Sequence, residues 1–179
     1  MLSKEDALRA YAAMMNTLDI DHIAQLLADD FHYASQWVFA EIESKQDYLD
    51  YISPKLLSLK TSGSKVWAEM ASLEREMPGP CVVMAQGSKD NLVSLVLAGV
   101  VNDKITRLDM CGAPSPHSAR RSGEYPGWKN AHDQTLPSQP NKAATSDRQT
   151  FNRFVNDLHT GQSIEQMSPA MQKWWRDRY

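Results

Sequence analysis

The sequence is poor in most of the features that announce a chemistry. Of its 179 residues only two are cysteines, Cys81 and Cys111, so neither a disulfide framework nor a thiolate metal cage is expected. Reduced thiols fit a cytoplasmic setting. No group of His, Cys, Asp or Glu has metal-ligand spacing, and no glycine-rich run is built to cradle a phosphate. No metal and no cofactor is therefore expected. No apolar stretch approaches the roughly 20 residues that span a bilayer, so no membrane partner is expected. Residues 1–6 lack the apolar core of a secretory signal. A charge excess of one sign is missing as well. The net charge is −3 and no basic run exceeds the pair Arg120–Arg121, which leaves no footprint for nucleic acid.

What is there divides the chain in two. Residues 1–112 carry 10 Lys/Arg against 16 Asp/Glu, and residues 113–179 carry 9 against 6, so an acidic body is followed by a basic tail. Such a tail folds back on its own body, or on a partner's, if it is not simply solvated. Within the body, Ser3 and Asp6 form a capping-box-like helix start, and Leu8, Tyr11, Met15 and Leu18 recur at helical spacing. A second, short helix with Ile23, Leu26 and Leu27 on its buried face is expected to end at Asp29 and Asp30. Residues 31–41 read as extended, with Phe31, Tyr33, Ser35, Trp37, Phe39 and Glu41 on one face. Ser44 and Asp47 open a third helix carrying Tyr48, Leu49, Ile52, Leu56 and Leu59, which Pro54 is expected to kink or split. Four runs then alternate with turns: residues 65–73, 81–87, 92–101 and 104–111. The order helix, helix, strand, helix, meander implies an α+β fold with an antiparallel sheet.

From residue 113 the composition shifts. Five prolines lie among Ser, Asn, Gln and Lys up to residue 146, which reads as a linker with Tyr125 and Trp128 as its only large apolar anchors. Residues 147–179 read as a helical tail, with Phe151, Phe154, Leu158, Met171, Trp174 and Trp175 as apolar groups that need a cover.

The stretch from Tyr11 to Phe31, with its apolar helix ending in Ala28-Asp29-Asp30, resembles the opening of the NTF2-like (SnoaL-like) superfamily, and the later element order fits as far as Cys111. The resemblance covers residues 3–112. It implies a cone, in which the N-terminal helices close on a curved sheet around an apolar pocket, and a homodimer. That superfamily holds isomerases, cyclases, epoxide hydrolases and non-catalytic modules, so fold alone does not select a function. Tyr11 falls where ketosteroid isomerases place an oxyanion-binding tyrosine. Ser35 stands where their carboxylate base belongs, and Leu97 where their protonated aspartate belongs, so isomerase chemistry of that type is not expected. Arg107 and Asp109 are the nearest match to the Asp-Arg-Asp set of limonene-type epoxide hydrolases, but their strand parity is opposite to that of Leu108 and Met110.

Two readings follow. In the first, a small apolar ligand, carbonyl or cyclic, sits among Tyr33, Ser35, Trp37, Glu41, Met70, Leu97, Leu108 and Met110, with Tyr11 as the candidate catalytic donor. In the second, the chain is a non-catalytic dimerisation module whose tail docks on a protein partner. His32 has the opposite parity to the aromatics and belongs to the surface or an interface. Cys111 with His117 lacks a third group to orient the imidazole, so a buried structural thiol is the better account.

Overall fold

The computed structural model describes residues 1–36, 40–74 and 78–128. The linker beyond residue 128 and the tail at 147–179 lie outside the described residues, as do Trp37 and Phe39.

Helix α1 spans Lys4–Thr17 and opens with the capping box, the Ser3 hydroxyl accepting from the Asp6 amide while the Asp6 carboxylate accepts from the Ser3 amide. It ends on Leu18 in a left-handed conformation that returns its amide to the Met14 carbonyl. Helix α2 is a single turn, Asp21–Ala24, with Ile23 buried. Strand β1 follows at once, Leu27–Ser35, so Asp29 and Asp30 lie in the strand rather than closing the second helix. Both are exposed, and Leu27 takes the buried place at the strand's start. Helix α3, Lys45–Ser62, runs unbroken through Pro54, so the proline does not split it. The Ser53 hydroxyl donates to the Leu49 carbonyl one turn back at 2.7 Å, a local side-chain bond beside the proline.

Strands β2 (Val66–Leu73), β3 (Gly79–Gln86), β4 (Leu92–Val101) and β5 (Lys104–Cys111) form the antiparallel meander. The sheet order is β1-β5-β4-β3-β2-β6, where β6 is the short strand Arg120–Arg121 on the edge of β2. β1 pairs with β5 in parallel, so the fold is α+β with a mixed sheet rather than a wholly antiparallel one. The parallel pair arises because α3 and three strands intervene before β5 returns alongside β1.

One sheet face carries Tyr33, Val66, Ala68, Met70, Val82, Met84, Val96, Leu108 and Met110, and packs against Leu8, Tyr11 and Met15 of α1 and Tyr48, Ile52 and Leu56 of α3. The opposite face carries Leu73, Cys81, Val83, Leu95 and Cys111 in a second, smaller cluster. A helix-covered face and a separately covered outer face explain why β2 to β4 read as nearly continuous apolar runs.

Residues 113–128 are not a free linker. After the 3₁₀ turn Pro116–Ser118, β6 pairs Arg121 with Ala71 and Arg120 with Ser72, and the chain then turns back across α1. The Met70 amide donates to the Glu124 carbonyl at 2.9 Å, and the Trp128 indole donates to the Asn16 carbonyl at 2.8 Å. Gly127 has φ +84°, and a Cβ there would stand 3.1 Å from the Ala13 backbone. Only glycine allows the strap to cross α1 so closely. Tyr125 and Trp128 are the anchors foreseen for this segment.

Candidate functional site

Four tyrosines meet between α1, α3 and β1. Tyr11 comes from α1, Tyr33 from β1, and Tyr48 and Tyr51 from one face of α3 at a spacing of three. The ring centroids of Tyr33 and Tyr48 are 5.3 Å apart, those of Tyr33 and Tyr51 5.7 Å, and those of Tyr48 and Tyr51 6.5 Å. Phe31 closes the group at 4.8 Å from Tyr48. These are ordinary tilted aromatic contacts. The polar atoms they carry inside are less ordinary. The Tyr33 hydroxyl donates to the Met110 sulfur at 3.7 Å and is also bonded to the side chains of Tyr51 and Ser35. The Tyr48 hydroxyl is buried and has no hydrogen-bond partner among the described residues. Burial pushes the phenols of Tyr11, Tyr33, Tyr48 and Tyr51 upward, and the neighbouring phenols reinforce the shift for Tyr11, Tyr48 and Tyr51. All four are therefore neutral hydrogen-bond donors at neutral pH.

Lys55 adds an amine. Its stem is partly exposed, but its Nζ turns inward, lies 3.9 Å from the centroid of the Tyr51 ring, and is buried without a hydrogen-bond partner among the described residues. This is the reverse of the usual arrangement, in which a lysine lays its stem on apolar surface and keeps its charge in water. Burial holds the ammonium pKa well below its ordinary value.

The structure thus brings together Tyr11, Tyr33, Ser35, Met70, Leu108 and Met110 on the helix-covered side of the sheet. Trp37 lies outside the described residues. Two assignments to this interior are corrected. Leu97 pairs with Asp109 and packs with the outer cluster, because β4 carries an irregularity near Val93 and Val96, not Leu97, faces the helices. Glu41 also sits on the outer face. The chain reverses after β1 so that Ile42 pairs with Tyr33, and the carboxylate accepts from the Arg107 guanidinium and lies 3.0 Å from the His32 Nδ1. Arg107 also donates to Asp109 at 2.9 Å, so His32, Glu41, Arg107 and Asp109 form one half-exposed ion cluster outside. The sequence reading missed Tyr48, Tyr51 and Lys55 as site residues. The signal was present: Lys55 interrupts the apolar stripe, three residues after Ile52 and four before Leu59.

Both cysteines are free and buried in the outer cluster. Burial raises the Cys81 thiol to about 11 and the Cys111 thiol also upward, so neither is a ready nucleophile. Among the described residues no cluster of His, Cys, Asp and Glu is placed to hold a metal, and no helix is long and apolar enough to cross a membrane. A separate shallow groove of about 450 Å³ lies between Gln36, Leu92, Val93 and the turn from Gly112 to His117.

No family model matches the chain, and no curated protein matches it. The solved structures that it resembles include an NTF2-like protein from Cytophaga hutchinsonii, at 14% identity and a TM-score of 0.43 over 65% of this chain and 96% of that one. A cystatin-fold protein from Novosphingobium aromaticivorans has 16% identity and a TM-score of 0.45 over 62% and 99%. A protein with a ketosteroid isomerase-like fold from Catenulispora acidiphila has 13% identity and a TM-score of 0.40 over 64% and 90%. The arrangement itself is α+β, with a mixed six-stranded sheet. Likeness at this level does not reach the site.

Proposed function

We propose that the tyrosine cluster between α1, α3 and β1 is a binding site for a small apolar ligand that carries a carbonyl group. One observation carries this reading: the buried Tyr11, Tyr33 and Tyr48, the partly buried Tyr51 and an inward-turned lysine converge there, and two of their polar atoms, Tyr48 Oη and Lys55 Nζ, are buried without a hydrogen-bond partner among the described residues. A core that needed only volume is served as well by phenylalanine and methionine. Each orphaned polar group costs about 1–3 kcal/mol, and a ligand oxygen that accepts from it removes that cost. Neutral phenols suit a carbonyl or enolate oxygen, the rings and Met70, Leu108 and Met110 suit an apolar body, and no described carboxylate faces the cluster to act as base. The site therefore has donors for binding and for stabilising an oxyanion.

The test is a thermal-shift screen of the full chain against small aromatic and alicyclic ketones. A ligand at 100 times its Kd raises stability by about 2.7 kcal/mol. The expected result is an upward shift that Tyr33→Phe and Tyr48→Phe weaken. A panel without any shift, with the tyrosine variants equally unaffected, overturns the reading.

A second reading, a dimerisation module, is favoured by the outer sheet face, where half-buried Leu97 pairs with Asp109 of the ion cluster around Arg107. Sedimentation of the full chain with Leu97→Lys distinguishes it: a dimer through this face dissociates, and a sedimentation coefficient unchanged by the substitution removes the reading.

A further inference from the structure

We infer that Lys55 Nζ forms a reversible imine with an apolar aldehyde held against the tyrosine cluster. This deepens the ligand reading above and rests on it. The geometry has three parts. The Nζ lies 3.9 Å from the Tyr51 ring centroid, so any ligand that stacks among these rings meets the amine. The atom is buried with no hydrogen-bond partner and no salt-bridged carboxylate among the described residues, so the face of the Tyr51 ring is its described support as an ammonium, weaker than a paired carboxylate. The Tyr51 phenol bonds to Tyr33, and the ring of Tyr48, whose hydroxyl has no hydrogen-bond partner among the described residues, lies 6.5 Å from the Tyr51 ring, so a neutral donor stands in the same group of rings.

An unpaired buried ammonium is costly, and the pKa of Lys55 is accordingly depressed. The neutral amine is the form that attacks a carbonyl. In the step proposed, the Nζ lone pair adds to the aldehyde carbon and the C=O π pair moves to oxygen, stabilised by phenol hydrogen bonds. Proton transfer from nitrogen to oxygen gives the neutral carbinolamine. Loss of hydroxide with one nitrogen proton, together one water, leaves the C=N bond. The sum is amine plus aldehyde to imine plus water, with no oxidant or reductant. The burial of Nζ beside the Tyr51 ring keeps out the water that reverses it.

The test uses the full chain with benzaldehyde and sodium cyanoborohydride at pH 7, which converts the imine to a stable secondary amine, followed by intact mass and peptide mapping. Each unit by which the amine's pKa is lowered raises its neutral fraction about tenfold. One adduct on Lys55 is expected, formed at least tenfold faster than on any exposed lysine, with labelling that levels off at a lower pH than theirs. Labelling of the exposed lysines at the same rate as Lys55 or faster overturns the inference, and this needs no variant. Lys55→Met and Lys55→Arg lose the fast adduct. The two readings fail separately. If ketones stabilise the wild type and Lys55→Met alike while benzaldehyde leaves Lys55 unlabelled, the pocket stands and the imine falls. If no ketone stabilises either protein but Lys55 is labelled fast, the amine is reactive and the pocket falls.

Discussion

A buried amine leaves a thermodynamic signature at the scale of one residue. Lys55 has a folded-state pKa below its ordinary 10.5, so between that lowered value and 10.5 the unfolded chain binds more protons than the folded one. Stability from this group therefore rises with pH across that window. Lys55→Met removes the penalty: the variant is expected to melt above the wild type at pH 7, with the gap narrowing as the pH approaches 10.5. Scanning calorimetry at several pH values checks this, and a gap independent of pH argues against a buried, unpaired Nζ. Tyr48 gives a complementary expectation. Its ring packs on Phe31 and Tyr33 while its hydroxyl is orphaned, so Tyr48→Phe keeps the packing and removes the buried donor. In the absence of ligand that variant is expected to be as stable as the wild type or more stable by about 1 kcal/mol, measured by urea unfolding.

At the scale of elements, the edge of β2 is closed by two different devices. Near its start the Asn16 side chain acts as a stand-in strand: Oδ1 accepts from the Ala68 amide and Nδ2 donates to the Ala68 carbonyl, both at 2.8 Å, while Nδ2 also donates to the Pro126 carbonyl. One side chain thus ties α1, β2 and the strap. Asn16→Ala leaves these backbone groups without it and is expected to cost about 1–3 kcal/mol, with faster amide exchange at Ala68.

Farther along β2, Glu69 anchors the strap. Its carboxylate accepts from Arg121 Nε at 2.8 Å, Tyr125 Oη at 2.6 Å and the Gly123 amide at 2.7 Å. Burial alone pushes the Glu69 pKa up, but the Arg121, Tyr125 and Gly123 hydrogen bonds and the Arg121 charge outweigh it and hold it below the ordinary 4.5. A lowered folded pKa lends stability that is fully present above 4.5 and is lost as the pH falls through the folded value. Acidification below 4.5 is therefore expected to release residues 120–128 before the body unfolds, read as amide exchange and as a Trp128 fluorescence change that Glu69→Gln shifts. Burial and the Glu69 hydrogen bond push the partner phenol, Tyr125, the other way, to about 12.

At the scale of the whole molecule, the strap joins faces that the meander alone leaves open. Trp67 packs on Trp128 at 6.5 Å, Ala119 joins the outer cluster with Leu95 and Cys111, and Arg9 bonds Glu124 at 2.9 Å from the far side of α1. A chain cut after Gly112 exposes Trp67 and leaves the Glu69 carboxylate unpaired in an apolar surface. It is expected to lose several kcal/mol in chemical denaturation, because the Trp67–Trp128 packing and the three hydrogen bonds to Glu69 go together. A chain cut after Trp128 keeps these contacts and is expected to keep its cooperative transition.

Periodicity made the elements legible. The Ser3–Asp6 capping box, the stripe Leu8, Tyr11 and Met15, and the alternation of Val66, Ala68 and Met70 against Trp67 and Glu69 are local patterns, and the folded chain repeats them. The face to which Tyr33, Leu108 and Met110 belong was also within reach, because strand parity is exact while the strand is regular. Parity stops being reliable where the ladder slips. The irregularity near Val93 turned Leu97 outward, and the reversal after Ser35 carried Glu41 to His32 and Arg107. Nor does local pattern say that a proline- and serine-rich stretch finds a partner; Asn16, Glu69 and Ala13 hold it from 52 or more residues away in the chain. What the chain by itself determined was its helices, its strands and the apolar faces between them, since these follow from neighbours a few residues apart. What only the tertiary structure decided was which polar atoms are sealed from water with nothing to bond. That depends on what packs over Tyr48 and Lys55 from distant elements, and desolvation is a property of the assembled surroundings rather than of any segment.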